Sequence, residues 1–208
     1  MNDFNVKFGI IGIDHRHVYT QAQFLIELGA ELVGWYTEGS PTTLGGFTKR
    51  FPKAKRFTDP RSLLEDPNIK VILTSAVPND RAKISISAMK HGKDVMSDKP
   101  GCLSFGDLEE LRQTVQQTGR IWSVDFSERF EVPAVTLASQ LVSDGAIGDV
   151  IHTLGLGPHR LNPESRPNWF FDPNQNGGIL ADIGSHQIDQ FLFFTKSESA
   201  EITLASIR

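Results

Sequence analysis

Three side chains have the types and spacing for proton chemistry on a hydroxyl group: Lys99, Asp182 and His186. Histidine titrates near neutrality and suits removal of a hydroxyl proton. A lysine ammonium can polarise the same oxygen and stabilise its alkoxide character. Asp182 and His186 are four residues apart and so share a face if they lie on one helix, and Asp189 extends that face. A carboxylate beside the imidazole would fix its orientation and raise its basicity. Gly177, Gly178 and Gly184 permit close backbone approach to this face, which a solvated helix stripe would not need. Pro100 disfavours helix at Lys99 and holds it at a strand end.

A second group is the turn Gly12-Ile13-Asp14-His15-Arg16-His17. It follows an apolar run, Val6–Ile13, and precedes a helix-like stretch, Val18–Leu28. That is where a dinucleotide fold places the glycines of G-x-G-x-x-G. Only Gly12 is kept, and Asp14 and His17 stand where the second and third glycines would be. An Asp14 carboxylate aimed at a pyrophosphate would repel it, so it must turn away or the cofactor must sit differently. Arg16 could offset part of the loss by charge pairing. The same turn is also an H-x-H after a first strand, the pattern of a metal-dependent hydrolase in which His15 and His17 ligate a divalent ion. A (β/α)8 barrel needs about 250 residues and later ligands that are not evident, so no metal is expected.

The elements that must position these groups alternate. Val6–Ile13, Glu31–Tyr36, Val71–Ser75, Asp94–Ser97 and Ile121–Phe126 read as strands. Val18–Leu28, Thr42–Phe51, Arg61–Leu64, Asp80–His91 and Phe105–Gln117 read as helices. Alternation of this kind predicts an α/β fold with a doubly wound parallel sheet that binds ligands at the carboxyl ends of its strands. Residues 1–126 are thus expected to form a Rossmann dinucleotide-binding domain, and 127–208 to begin an α+β domain for substrate and oligomerisation. In that second part Pro133–Ser143 and Leu180–Phe194 read as helices, and Val150–Gly157 and Ile202–Ile207 as strands. Pro158–Gly178 reads as a loop. So few strands make a poor independent sheet, and the second domain is read as truncated.

Composition narrows the function classes. The 208 residues are 39% hydrophobic and 22% charged with a net charge of −4, which gives no reason to expect nucleic acid or an anionic membrane as partner. One cysteine, Cys102, rules out an intrachain disulfide and a cysteine-based zinc site. No stretch reaches membrane-spanning length and the first residues lack an apolar signal core, so a cytoplasmic location is expected. A basic cluster, Lys49, Arg50, Lys53, Lys55 and Arg56, reads as a solvated helix end, with contact to the extra phosphate of NADP as the sharper alternative.

Two longer motifs are more specific. Ala88–Pro100 reads AMKHGKDVMSDKP and follows Ser75-Ala76-Val77-Pro78-Asn79; Asn176–Asp189 reads NGGILADIGSHQID. With Arg129–Gly148 between them, they resemble the Gfo/Idh/MocA oxidoreductases, a family that includes glucose–fructose oxidoreductase and inositol dehydrogenases. The resemblance implies hydride transfer between NAD or NADP and a hydroxyl-bearing carbon of a sugar, polyol or cyclitol. It implies Lys99, Asp182 and His186 as catalytic residues. It places cofactor contacts at Gly12 to His17, Thr37, Glu38, Ala76, Pro78, Asn79, Asp98 and Lys99, and substrate contacts at Lys99, Arg129, His159, Arg160, Trp169, Asp182 and His186. A homo-oligomer, dimer or tetramer, is expected with it. Three departures stand against the pattern: the reduced glycine turn, Thr37 in place of the ribose-binding aspartate with Glu38 following, and Ala82 in place of the P-N-x-x-H histidine. Loss of the acid at 37 would admit a 2′-phosphate, and Glu38 would oppose one if it points inward. The departures leave a non-catalytic, nucleotide- or sugar-sensing regulator of the same fold as the alternative.

Overall fold

The computed structural model describes residues 6–206. Six parallel strands form one sheet in the order β3-β2-β1-β4-β5-β6. They are β1 (Lys7–Ile11), β2 (Glu31–Tyr36), β3 (Lys55–Arg56), β4 (Ile69–Thr74), β5 (Asp94–Asp98) and β6 (Trp122–Asp125). The connecting helices are α1 (Val18–Glu27), α2 (Leu44–Arg50), α3 (Arg61–Leu64), α4 (Pro78–Lys90) and α5 (Phe105–Thr118). The order reverses between β1 and β4, the switch point at which open α/β sheets bind ligands.

The sheet is buried on both faces, as parallel sheets are. One cluster gathers Phe8, Ile10, Val18, Trp35, Phe47 and Leu73; the other gathers Ile11, Leu63, Ile72, Ile86, Met89 and Leu111. Strand β3 was not expected from the sequence. It is two exposed basic residues, recruited by Gly34 and Trp35 of β2 rather than by any apolar pattern. The basic cluster around it stays at the surface: Arg56 lies over the Trp35 ring, 5.1 Å from its centroid, and Lys55 over Phe57 at 4.5 Å.

Beyond β6 come α6 (Ser127–Phe130) and α7 (Pro133–Ser143), short turns over 163–171, α8 (Pro173–Asn176), a π-helical turn Leu180–Gly184 and α9 (Ser185–Thr195). The expected strands Val150–Gly157 and Ile202–Ile207 are not formed. Residues 150–157 and 202–206 are irregular, and Ile207 lies outside the described residues. Neither segment meets a partner strand among the described residues, and an alternating sequence without a partner leaves its ladder groups unpaired. The expected helix over Leu180–Phe194 is broken in character, with its first turn π and the remainder α.

Candidate active site

The turn after β1 is fixed by its neighbours. The Gly12 N–H donates to the Tyr36 carbonyl at 2.8 Å, and Gly12 O accepts from the Ser75 N–H at 3.1 Å. Gly12 sits at φ +82°, and a Cβ there would lie 2.4 Å from Ala76 Cβ. Only glycine fits. Beside it is a cleft of about 320 Å³ lined by Gly12, Asp14, Tyr36, Glu38, Ala76 and Lys83. Of the expected cofactor contacts, Gly12, Asp14, Glu38 and Ala76 therefore line the cleft. Thr37 does not: its side chain is buried and its hydroxyl has no partner among the described residues. The acid that faces the cleft is Glu38, two residues past the end of β2. Ile13 packs in the core beneath the turn, and Pro78 is the buried first residue of α4; Arg16 and Asn79 are exposed.

Asp98, expected at the cofactor, is instead fully buried and committed to protein groups, a correction the structure makes plainly. Burial would raise its carboxyl, but Arg81, His17 and His15 outweigh burial and hold it well below the usual carboxylate range. An ionised carboxylate only accepts, so each imidazole donates from Nδ1, His15 at 2.8 Å and His17 at 2.9 Å. Arg81 Nη2 lies 3.0 Å from the same group. Its Nε donates to Ala76 O at 2.8 Å and its Nη1 to Lys99 O, so one buried guanidinium ties the ends of β4 and β5 together. Burial lowers the His15 imidazole to about 4, so it is neutral at physiological pH.

His15, His17 and Asp98 have the composition of a three-ligand metal site. Around a tetrahedral zinc, neighbouring N and O ligands stand about 3.3 Å apart. The separations of 2.8 and 2.9 Å are those of direct hydrogen bonds, and Arg81 already neutralises the only anion. The cluster is hydrogen-bonded scaffolding.

Lys99 leaves β5 through a cis peptide to Pro100 and is nearly buried. Its Nζ donates to the Asp182 backbone carbonyl at 2.7 Å and to the Asp182 carboxylate. Burial would raise Asp182, and Lys99 more than offsets it, so the carboxylate is ionised. The expected Asp182–His186 pairing is not made. Asp182 lies in the π turn and its carboxylate is taken by Lys99; His186 stands in the following α-helix with Nδ1 buried and without a partner among the described residues. Burial first, and Lys99 second, lower His186 to about 4. The Phe126 ring meets it edge-on at 5.9 Å.

Of the expected substrate contacts, Arg129 is engaged in a bidentate pair with Asp189, at 2.6 and 2.9 Å, and serves to bind α6 to α9. His159 is drawn to Glu128 at 3.1 Å. Arg160 is exposed. The Trp169 ring approaches His15 edge-on at 6.1 Å, which brings the loop after 158 over the turn. Sequence reasoning missed Arg81, which carries no local signal, since a charged residue in a helix reads as solvent-facing. It also missed the buried chain Ser75–Gln21–Asp125 behind the turn, linked at 2.5 and 2.8 Å.

Residues 6–126 match the family described as "Oxidoreductase family, NAD-binding Rossmann fold", and residues 135–207 the GFO/IDH/MocA C-terminal domain. The chain belongs to the GFO/IDH/MocA family. Among solved structures it is similar to an oxidoreductase from Erwinia carotovora atroseptica SCRI1043, with 40% identity and a TM-score of 0.88 over 92% of this chain and 57% of that one. It is also similar to a levoglucosan dehydrogenase solved in complex with NADH, with 26% identity and a TM-score of 0.72 over 91% of this chain and 54% of that one. A curated relative, the levoglucosan dehydrogenase of Pseudarthrobacter phenanthrenivorans, is 30% identical over 78% of this chain and 42% of its own length. The chain spans about half the length of the relatives it matches. Membership gives this GFO/IDH/MocA chain an NAD-binding fold, and the cleft beside Gly12 agrees with it: a glycine that no larger residue can replace, at the switch point, in a cleft that Glu38 also lines. No helix is long and apolar enough to cross a membrane among the described residues.

Proposed function

We propose that the protein is an NAD-dependent dehydrogenase acting on a hydroxyl-bearing carbon of a neutral sugar, polyol or cyclitol. The observation that carries this reading is the contact of Lys99 with Asp182 beside the unpartnered His186, which joins the end of β5 to the 176–189 segment. The dinucleotide, when bound beside Gly12, supplies the hydride acceptor. Lys99, oriented by Asp182, polarises the substrate hydroxyl. His186 is neutral, with Nδ1 unpartnered among the described residues, and takes the hydroxyl proton. Asp98, Arg81, His15 and His17 hold Lys99 in place. A neutral substrate is favoured because Lys99, Arg81 and Arg129 are each paired with a carboxylate, leaving them no charge for a substrate anion. NAD is favoured over NADP because Glu38 lines the cleft and the basic cluster around Lys55 does not. Exposed apolar side chains on and after α7, among them Leu137, Leu141, Ile151 and Leu154, support a homo-oligomer.

The test is titration of the protein with NADH and NADPH, followed by turnover on a panel of sugars and inositols. NADH is expected to bind at least tenfold more tightly than NADPH. Lys99→Ala and His186→Ala are each expected to lower kcat by about 10²-fold or more, with NADH binding kept, the usual scale for an acid–base group. Absence of binding by either nucleotide, or wild-type turnover in both variants, would refute the reading.

A further inference from the structure

The turn that should meet the cofactor's phosphates carries a carboxyl group where a dinucleotide fold has glycine. The glycine at that place lets the backbone approach the pyrophosphate. Here two amides of the turn are already spent: Gly12 N–H on Tyr36 O and His15 N–H on Ser75 O, both at 2.8 Å. Asp14 lines the cleft wall between them and is only partly exposed. A pyrophosphate brought to this turn meets the Asp14 side chain.

We propose that Asp14 binds the dinucleotide's pyrophosphate as a neutral carboxylic acid that donates its hydrogen to a phosphate oxygen, so that the protein takes up a proton when the cofactor binds. The inference rests on reading this cleft as the dinucleotide site. Its surroundings prepare Asp14 for the role. Burial, with Asp80 and Glu38 facing it, pushes its carboxyl up to about 6 against the lowering effects of its own backbone N–H and of Arg81. Lys83 lines the same cleft from α4. The free protein therefore holds Asp14 mostly ionised at pH 7.5. Two negative phosphates placed against it raise its proton affinity further, and the proton comes from solvent. The step balances: one proton enters with the ligand, and none is taken from the ligand.

The experiment is isothermal titration of the full-length protein with NAD⁺ at pH 5.5 and 7.5, in two buffers of different ionisation enthalpy at each pH. NAD⁺ has no group that titrates in this range. For the wild type, close to one proton should be taken up at pH 7.5 and a small fraction at pH 5.5. Affinity should be about 25-fold weaker at pH 7.5, since it falls roughly tenfold per pH unit above the Asp14 pKa. Asp14→Asn keeps the shape and donates without titrating. It should bind with no proton uptake, and its affinity should change less than threefold between the two pH values. NAD⁺ binding by the wild type without proton uptake, or an unchanged pH profile in Asp14→Asn, would overturn the inference and leave the dehydrogenase reading standing. Failure of NAD⁺ to bind either protein at both pH values would overturn both.

Discussion

Arg81 and Asp98 form an ion pair with almost no access to water, 1% and 0% by side chain. Removing one partner of such a pair leaves a buried, uncompensated charge, at a cost of about 3–5 kcal/mol. Arg81→Met leaves Asp98 with only the two imidazole N–H donors, and strips donors from the carbonyls of Ala76 and Lys99. Asp98→Asn leaves the guanidinium without its counter-charge. Each single variant should therefore lose about 3–5 kcal/mol in urea unfolding, a large part of the 5–15 kcal/mol typical of a domain. The double variant Arg81→Met/Asp98→Asn removes both charges and should lose clearly less than the sum. A coupling of about 2–3 kcal/mol is expected, within the range for residues in direct contact. Midpoints and slopes for the wild type and three variants close the cycle. Losses that add to within about 0.5 kcal/mol, or a loss below about 1 kcal/mol in Arg81→Met, would refute the argument that this pair holds the ends of β4 and β5.

Two other outcomes follow from the same geometry. Gly12→Ala meets both a left-handed backbone angle and the Ala76 side chain; the strain and overpacking together should cost about 2–4 kcal/mol in urea unfolding and abolish NADH binding, and a near-neutral effect would contradict the tight turn. The His15 and His186 imidazoles are lowered from 6.5 to about 4 in the folded chain, so the unfolded chain binds their protons first as the pH falls. Their contribution is complete above pH 6.5 and is lost towards pH 4. Asp14, raised to about 6, works the opposite way, gaining stability as the pH falls from 6 to 4. Asp125 and Glu131, also raised by burial, act in the same direction as Asp14. From pH 6.5 to 4 the urea midpoint should change more favourably for the folded state in His186→Gln than in the wild type, and less favourably in Asp14→Asn; a His186→Gln profile parallel to the wild type would refute the assignment of a buried neutral imidazole at 186.

The legible parts of the sequence were those set by local physics. Apolar runs of five or six residues, separated by amphipathic stretches, can be little else than a parallel sheet with helices. The alternation of strands and helices and the place of Gly12 follow from that. What was not legible depends on a partner. Lys55–Arg56 becomes a strand only because β2 offers its edge, and 150–157 remains irregular because no strand lies beside it. The site shows the same division. Motif residues Lys99, Asp182 and His186 lie in one region, yet the i, i+4 rule assigned the Asp182 carboxylate to the wrong neighbour. That rule assumes α geometry, and it cannot weigh a lysine from 83 residues away in sequence. Arg81 was invisible for a related reason: only the burial of Asp98 gives a charged residue in the first turns of α4 something to neutralise.

The charges of the site divide into two regions of opposite character. At the end of β5 and in the segments that follow β6, three cations are each matched with a carboxylate: Arg81 with Asp98, Lys99 with Asp182, Arg129 with Asp189. Matched pairs, buried or half-buried, fix positions and leave little net field for a neutral hydroxyl compound to work against. At the switch point the balance is reversed. Asp14, Glu38 and Asp80 share a cleft with a single lysine, Lys83, among its lining residues. A dianionic pyrophosphate entering that cleft meets excess negative charge, and a 2′-phosphate would add more beside Glu38. Unless a proton accompanies it, the ligand opposes the field that selects it. The absent glycines and the surplus carboxylates are thus one feature: a turn that has exchanged backbone donors for a titratable one, and so ties cofactor binding to pH.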